Sequence, residues 1–307
     1  MLTRIPKADI EKGMFVEAVE CSETMFGKRR FVLESDSDMS AILTCPAAFV
    51  LINTAFGADR LKARSALKTR TRAPLSPAEA QVEAAAIVGR SVRVLKSELI
   101  TMVTGGDFDM AGIAPVVDEI TQADPTTSSL FFQVTRLKHK DETTFQHSLA
   151  VGILMGKLGE ALDLDTGTIE MLILSGLLHD VGKLTISKDI LQKQGPLTPV
   201  ERKLIQSHPR RGHQILQKHA GIPAEVLEIC LHHHEALDGS GYPSRLSGPQ
   251  IGPLVRISTV CDVFDALTSA RPYKRGWTVA DALTWMYERN TIFDRKLVLR
   301  LGALIDS

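Results

Sequence analysis

Residues 178–183 read Leu178-His179-Asp180-Val181-Gly182-Lys183 and close the run Ile169-Glu-Met-Leu-Ile-Leu-Ser-Gly-Leu-Leu178, which is apolar almost throughout. Such a run predicts a buried helix, with Gly182 placed to stop it. An imidazole beside a carboxylate at the buried end of a helix needs partners, because an unsatisfied polar group is costly away from water. A metal ion is one such partner; a helix end emerging into water is the alternative. The rest of the chain decides between them by supplying matching residues at intervals.

Upstream, His147, Val151, Leu154, Leu158 and Leu162 recur at helical spacing, which puts His147 on a buried stripe near a helix start. Downstream, Thr198-Pro-Val-Glu201 is a capping box with proline at the first helical position, so a helix starts at Thr198 and leads to a corner at Ser207-His208-Pro209. Ile222-Pro-Ala-Glu opens another helix, which ends at Leu231-His-His-His-Glu235 before the turn-rich Leu237-Asp-Gly-Ser-Gly-Tyr-Pro243. At about 100° per residue, consecutive histidines cannot all face one point, and His232 is the one expected to face away. A long helix is expected over Ile251–Ser269, where Asp262 and Asp265 share a face at i, i+3.

The candidates His147, His179-Asp180, His208, His233-His234 and Asp262 are therefore spaced about thirty residues apart, roughly two helices with their connections. A helical bundle can bring one candidate from each repeat of its path to a common point, and the set is large enough for two metals.

Composition bounds the rest. The 307 residues are 44% hydrophobic and carry 36 basic and 36 acidic side chains, net charge zero. That size accommodates a sizeable core and two domains, and the charge balance argues against DNA or RNA as a partner. Cys21, Cys45, Cys230 and Cys261 form no paired motif, which fits reduced thiols in a cytoplasm. No run of about 18 apolar residues and no signal-peptide core is present, so a soluble protein without membrane attachment is expected.

Residues 1–70 read as a small α+β domain. Short β-rich runs occur at Met14–Cys21, Arg30–Leu33 and Ala48–Asn53, with a helix expected over Ser37–Leu43. Lys68-Thr-Arg-Thr-Arg-Ala-Pro-Leu-Ser-Pro77 reads as a boundary. A helical linker follows over 71–125, with the stripe Val88, Val92, Leu95, Leu99, Met102 ending at Gly105-Gly106 and a second helix over Met110–Thr121. Residues 126–307 form the domain that carries the candidates.

These motifs carry a resemblance. Gln146-His-Ser148, His179-Asp180 with Gly182-Lys183, His208-Pro209, His233-His234-Glu235, Asp238-Gly-Ser-Gly-Tyr-Pro243, Asp262-Val-Phe-Asp-Ala-Leu267 and Arg271-Pro-Tyr-Lys274 closely resemble the HD-GYP family, a branch of the HD phosphohydrolases. Ile5-Pro6, Gly13-Met-Phe-Val16 and Leu51-Ile-Asn-Thr54 look like the small domain of unknown function that often precedes it.

The resemblance implies a mainly α protein, an all-helical catalytic domain hydrolysing cyclic di-GMP to pGpG or GMP by attack of a hydroxide activated between two metals. Its ligands would be His147, His179, Asp180, His208, His233, His234 and Asp262, with Asp180 bridging. Three-metal relatives have a glutamate one turn before the first histidine; here Thr143 stands there, beside Glu142, so two ions are expected. A set of imidazoles and carboxylates without thiolate suits iron, manganese or zinc, and the resemblance favours iron or manganese. Lys183 would donate to a phosphoryl oxygen, and Arg271 and Lys274 would hold the second phosphate. Asp265 and Asp141 match positions proposed for acid-base work. Gly241 and Tyr242, in the loop to Pro243, would shape the substrate entrance and contact a partner such as a diguanylate cyclase. A homodimer is compatible with the resemblance. Two other readings stay open: an HD hydrolase of another cyclic nucleotide, and a scaffold that binds the dinucleotide without turnover.

Overall fold

The computed structural model describes residues 2–19, 31–33, 35–57, 76–106, 108, 110–123, 125–135, 143–269 and 276–305. The chain divides into two compact units, one comprising Met1–Leu75 and Leu164–Glu170, the other Ser76–Asp163 and Met171–Ser307.

The smaller unit is built on an antiparallel sheet of β1 (Leu2–Pro6), β2 (Met14–Val19), β3 (Phe31–Val32) and β4 (Phe49–Gly57), in the order β1-β4-β2-β3. Strand β1 was not among the expected strands. It pairs in register with β4, Leu2 opposite Asn53 and Pro6 opposite Phe49, and that long-range partner rather than its own composition makes it a strand. Helix α1 (Asp36–Thr44) starts where the Ser35 hydroxyl accepts from the Ser37 and Asp38 amides. Ile10, Val16, Leu33, Ile42, Val50 and Ile52 are buried together as the core of this unit. Arg30, Cys21 and the boundary residues 68–75 lie outside the described residues.

The described part of the larger unit is helical. Helix α2 (Pro77–Val103) opens with a capping box between Ser76 and Glu79, and its stripe Val88, Val92, Leu95, Leu99, Met102 is buried. Helices α3 (Met110–Gln122) and α4 (Pro125–Thr135) follow, and α2 packs on both. The second of these was not expected from sequence. Helix α5 (Thr143–Ala161) is the centre of the packing: α2, α4, a later helix α11 (Pro253–Thr268) and the last helix α13 (Arg295–Ile305) all lie against it.

Helix α6 (Thr166–Leu178) leads into a 3-10 turn at Val181–Thr185, then α7 (Lys188–Leu191), α8 (Pro199–Gln206), α9 (His208–Leu216) and α10 (Ala224–His232). Helix α12 (Val279–Glu288) lies between α11 and α13. The expected capping box at Thr198–Glu201 is present. Gly182 does not act as a helix stop. The α-helix has already ended at Leu178, and Gly182 lies inside the 3-10 turn, where a Cβ would stand 2.0 Å from the His208 carbonyl oxygen and 2.6 Å from Gly212 N. Its missing side chain lets the 3-10 turn and α9 touch backbone to backbone. No described helix is long and apolar enough to cross a membrane.

Candidate metal centre

The candidates come from five places along the chain. His147 stands in the first turns of α5, His179 and Asp180 just beyond α6, His208 at the first residue of α9, His233 and His234 just beyond α10, and Asp262 in the middle of α11. Each except Asp262 sits at or near a helix end, and His179, His208 and His233 each follow the last turn of a helix (α6, α8 and α10) whose carbonyls are free to accept a hydrogen bond.

Those carbonyls set the tautomers. His179 Nδ1 donates to Gly176 O at 2.8 Å, His208 Nδ1 to Ile205 O at 2.6 Å, and His233 Nδ1 to Cys230 O at 2.9 Å. A carbonyl only accepts, so each Nδ1 carries the proton and each Nε2 presents a lone pair. His147 Nδ1 donates to Asp265 Oδ2 at 2.6 Å, with the same result.

The Nε2 atoms then converge on one another and on carboxylate oxygens. His208 Nε2 and His233 Nε2 are 3.1 Å apart, and Asp180 Oδ1 lies 3.1 Å and 3.8 Å from them. On the other side, His147 Nε2 is 3.0 Å from Asp262 Oδ1 and 3.5 Å from Asp180 Oδ2, while His179 Nε2 is 3.4 Å from Asp180 Oδ2. His234 Nδ1 faces Asp262 Oδ2 at 3.5 Å. Asp180 thus turns one oxygen to each half of the cluster. Three overlapping groups have their ligand atoms within 4.8 Å of one another: His208, His233 and His234; His147, His179 and Asp262; and His179, Asp180 and His233.

Buried acceptors facing buried acceptors call for a cation. His179 Nε2 and Asp180 Oδ1 are both buried without a hydrogen-bond partner, a shortfall that a bound cation would make good. The donor set of imidazoles and carboxylates fits divalent ions.

Electrostatics agree. Burial alone would raise Asp180, but the Lys183 ammonium and the His179 and His208 imidazoles outweigh it and hold the carboxyl well below its usual range. Burial likewise opposes the Asp262 shift, yet His147 and His234 hold that group well below the ordinary value. Burial and the neighbouring imidazoles keep His233 neutral far into acid, and burial with His208 brings His234 down to about 3 against the pull of Asp262. His179 is the exception: burial disfavours its charge, but Asp180 and Asp262 raise it, because carboxylates without a cation draw a proton.

Lys183 is ion-paired with Asp180 through Oδ2, on the rim of the cluster, and its side chain is partly exposed. Asp265 lies behind His147. It is completely buried, and its carboxylate accepts from His147 Nδ1 and from Ser269 Oγ at 2.9 Å, on the side of the ring away from the cluster. Sequence reading placed Asp265 on the right helix face but had no sign of its partner, 118 residues away. His232 faces away as expected, with Nε2 3.3 Å from Ser244 Oγ. Tyr242 lies over His234 and near His208, with ring centroids 4.7 Å and 6.5 Å away, and burial pushes its phenol pKa up, so it stays neutral. Thr143 is the first residue of α5. Arg271, Lys274, Asp141 and Glu142 lie outside the described residues.

A helical domain that gathers histidines and aspartates from successive helix ends into one buried acceptor cluster defines the HD class of proteins. The HD domain family matches residues 132–297, and a domain of unknown function, DUF3391, matches residues 2–128. The chain belongs to the HD domain family.

It is 37% identical over 308 residues to the cyclic di-GMP phosphodiesterase PA4108 of Pseudomonas aeruginosa, an alignment covering 96% of this chain and 74% of that protein. It is 41% identical over 147 residues to the 3'3'-cGAMP-specific phosphodiesterase 1 of Vibrio cholerae, covering 48% of this chain and 34% of that one. Among solved structures, Bd1817, an HDG"Y"P protein from Bdellovibrio bacteriovorus, aligns over 100% of both chains with a TM-score of 0.57 and 17% identity, a likeness of fold.

Proposed function

We propose that the protein is a metal-dependent phosphodiesterase that hydrolyses cyclic di-GMP to pGpG or GMP. The observation that carries the reading is the convergence of four imidazole lone pairs on Asp180 and Asp262, in a chain aligned along 96% of its length with a cyclic di-GMP phosphodiesterase.

His208, His233 and His234 with Asp180 Oδ1 would hold one ion; His147, His179 and Asp262 with Asp180 Oδ2 would hold the other. Iron or manganese suits this set. When bound, two such cations supply Lewis acidity and, at neutral pH, a nucleophile drawn from water.

The chain's own residues supply the rest. The carbonyls of Gly176, Ile205 and Cys230 and the carboxylate of Asp265 aim the imidazoles, so ligation needs no tautomer change. Asp265 acts as a positioning residue for His147. Lys183, tethered to Asp180, stands at the rim to donate to a phosphoryl oxygen and offset its developing charge. Tyr242, over His234, forms part of the wall of the entrance.

The test is metal content of protein purified without oxygen, together with chromatography of products from cyclic di-GMP supplied with iron or manganese. Two metals per chain with pGpG or GMP formed is the expected result. Intact substrate in the presence of both ions would overturn the reading.

One observation favours a second substrate, since a 3'3'-cGAMP-specific phosphodiesterase is among the relatives at 41% identity. A side-by-side assay of cyclic di-GMP and 3'3'-cGAMP separates the two by the ratio of kcat/KM.

A further inference from the structure

The loop that follows α10 is fastened to the histidine cluster by one buried side chain. Glu235, 2% exposed, follows His233 and His234 directly. Its Oε1 accepts from Ser244 N at 2.6 Å and its Oε2 from Leu246 N at 3.0 Å. Bonds from backbone N–H to an ionised carboxylate are roughly twice as strong as neutral ones. The neck of the loop is closed separately, by the bridge between Asp238 and Ser247 and by Gly248 N donating to Leu237 O at 2.9 Å.

Between neck and staple the backbone folds down onto the ligand helix. Tyr242 N donates to His234 O at 3.1 Å. Gly241 lies so close that a Cβ there would stand 2.4 Å from Ala236 N and 2.5 Å from Glu235 Cα, which only glycine tolerates. The outcome is the tilted stack of Tyr242 on His234, at 33° between ring planes.

We propose that Glu235 is a positioning residue for substrate binding, acting through Tyr242. By gripping Ser244 and Leu246 it fixes the tyrosine against His234 before substrate arrives. A cyclic dinucleotide presents flat bases, and an aromatic ring already immobilised offers them a contact with little ordering cost. This inference rests on the phosphodiesterase reading of the centre. It gives the loop a task in binding rather than in the chemical step, and explains why a carboxylate follows the ligand histidines.

The experiment compares the parent protein, Glu235→Gln, Glu235→Ala, Tyr242→Ala and the Glu235→Ala/Tyr242→Ala double variant in metal content, kcat and KM for cyclic di-GMP, and amide hydrogen exchange. Both Glu235 variants are expected to keep the parent's metal content and kcat; Glu235→Ala should raise KM by about tenfold and speed exchange at Ser244 and Leu246, and Glu235→Gln should do so to a smaller extent. Adding Tyr242→Ala to Glu235→Ala should raise KM by no more than about twofold further, the non-additivity of residues acting as a unit.

Loss of metal, a fall in kcat at unchanged KM, or additive effects in the double variant would overturn the proposal. Where Glu235→Ala fails to fold, Glu235→Gln combined with Tyr242→Ala carries the same comparison, since glutamine still accepts one of the two amides. If the parent leaves cyclic di-GMP intact, the substrate reading fails by itself, and unchanged exchange at Ser244 and Leu246 would separately sink the staple.

Discussion

The Nε2 atoms of His208 and His233 face each other across 3.1 Å while each Nδ1 is tied to a carbonyl in the last turn of the helix before it. Two lone pairs in that arrangement repel, and a cation between them and Asp180 converts the repulsion into ligation. Metal binding should therefore stabilise the fold. At a metal concentration of about 100 times Kd the gain is about 2.7 kcal/mol for a site. Stripping metal with a chelator should lower Tm by about 5–10 °C, reversibly on adding iron or manganese. Thermal denaturation with and without chelator checks this, and an unchanged Tm would remove these histidines from the ligand set.

Asp180 offers one oxygen to each half of the cluster. Asp180→Ala should lose bound metal and reduce kcat/KM by at least about 10³-fold, because both ions lose a ligand at once. Metal analysis with the hydrolysis assay reads both effects. A metal-free variant turning over at the parent rate would refute the site.

Asp265 predicts a subtler phenotype. Asp265→Asn keeps the shape but can present its amide N–H to His147 Nδ1, which would move the ring proton to Nε2 and aim a donor at the cluster. Loss of such an outer partner typically costs 10–100-fold in metal affinity or activity, and about that is expected here. Metal titration decides it. If Asp265 were instead the proton donor to the leaving group, affinity would hold while the basic limb of the pH–rate profile changed.

The metal-free protein should lose stability as pH falls from about 6.5 towards 3. His233 and His234 have depressed folded pKa values, His234 at about 3, so below the unfolded value near 6.5 the unfolded chain binds more protons. Asp180 and Asp262, also depressed, add stability that is present above their unfolded value and lost as pH falls through the folded one. His179, raised, works the other way: its contribution is full below about 6.5 and fades as pH rises through its folded value. A Tm-versus-pH series on chelated protein should fall on acidification, and His234→Gln should flatten it. A Tm that rises between pH 6.5 and 4 would contradict the burial of neutral imidazole.

What was legible in the sequence was local. The capping box at Thr198–Glu201, the buried stripe of α2 and the placing of histidines at helix ends all depend on residues within a turn or two of each other. Features that depend on distant partners escaped. Strand β1 exists because β4 accepts it, α4 carries no clear helical stripe in its short Ser- and Thr-rich run, and Asp265 looks like any acid on α11 until α5 brings His147 to it. The misreading of Gly182 is of the same kind. A glycine after a helix usually marks a left-handed cap, whereas here the constraint is the backbone of α9.

That constraint gives the last prediction. Gly182 is the point where the segment carrying His179 and Asp180 touches the segment carrying His208, with 2.0 Å available between a new Cβ and the His208 carbonyl oxygen. Backbone cannot yield as a flexible side chain would, so Gly182→Ala must push the 3-10 turn and α9 apart. A cost of about 1–3 kcal/mol in stability is expected from overpacking of this kind. Because the displaced groups are ligands on both sides, metal affinity should fall as well. Gly89→Ala in α2 serves as the control: its nearest contact for a Cβ is Arg93 Nη1 at 3.6 Å, and removing a mid-helix glycine should stabilise by about 0.5–1 kcal/mol. Chemical denaturation and metal titration of the two variants measure both quantities. Equal behaviour at the two positions would mean that the approach at Gly182 does not hold the centre together.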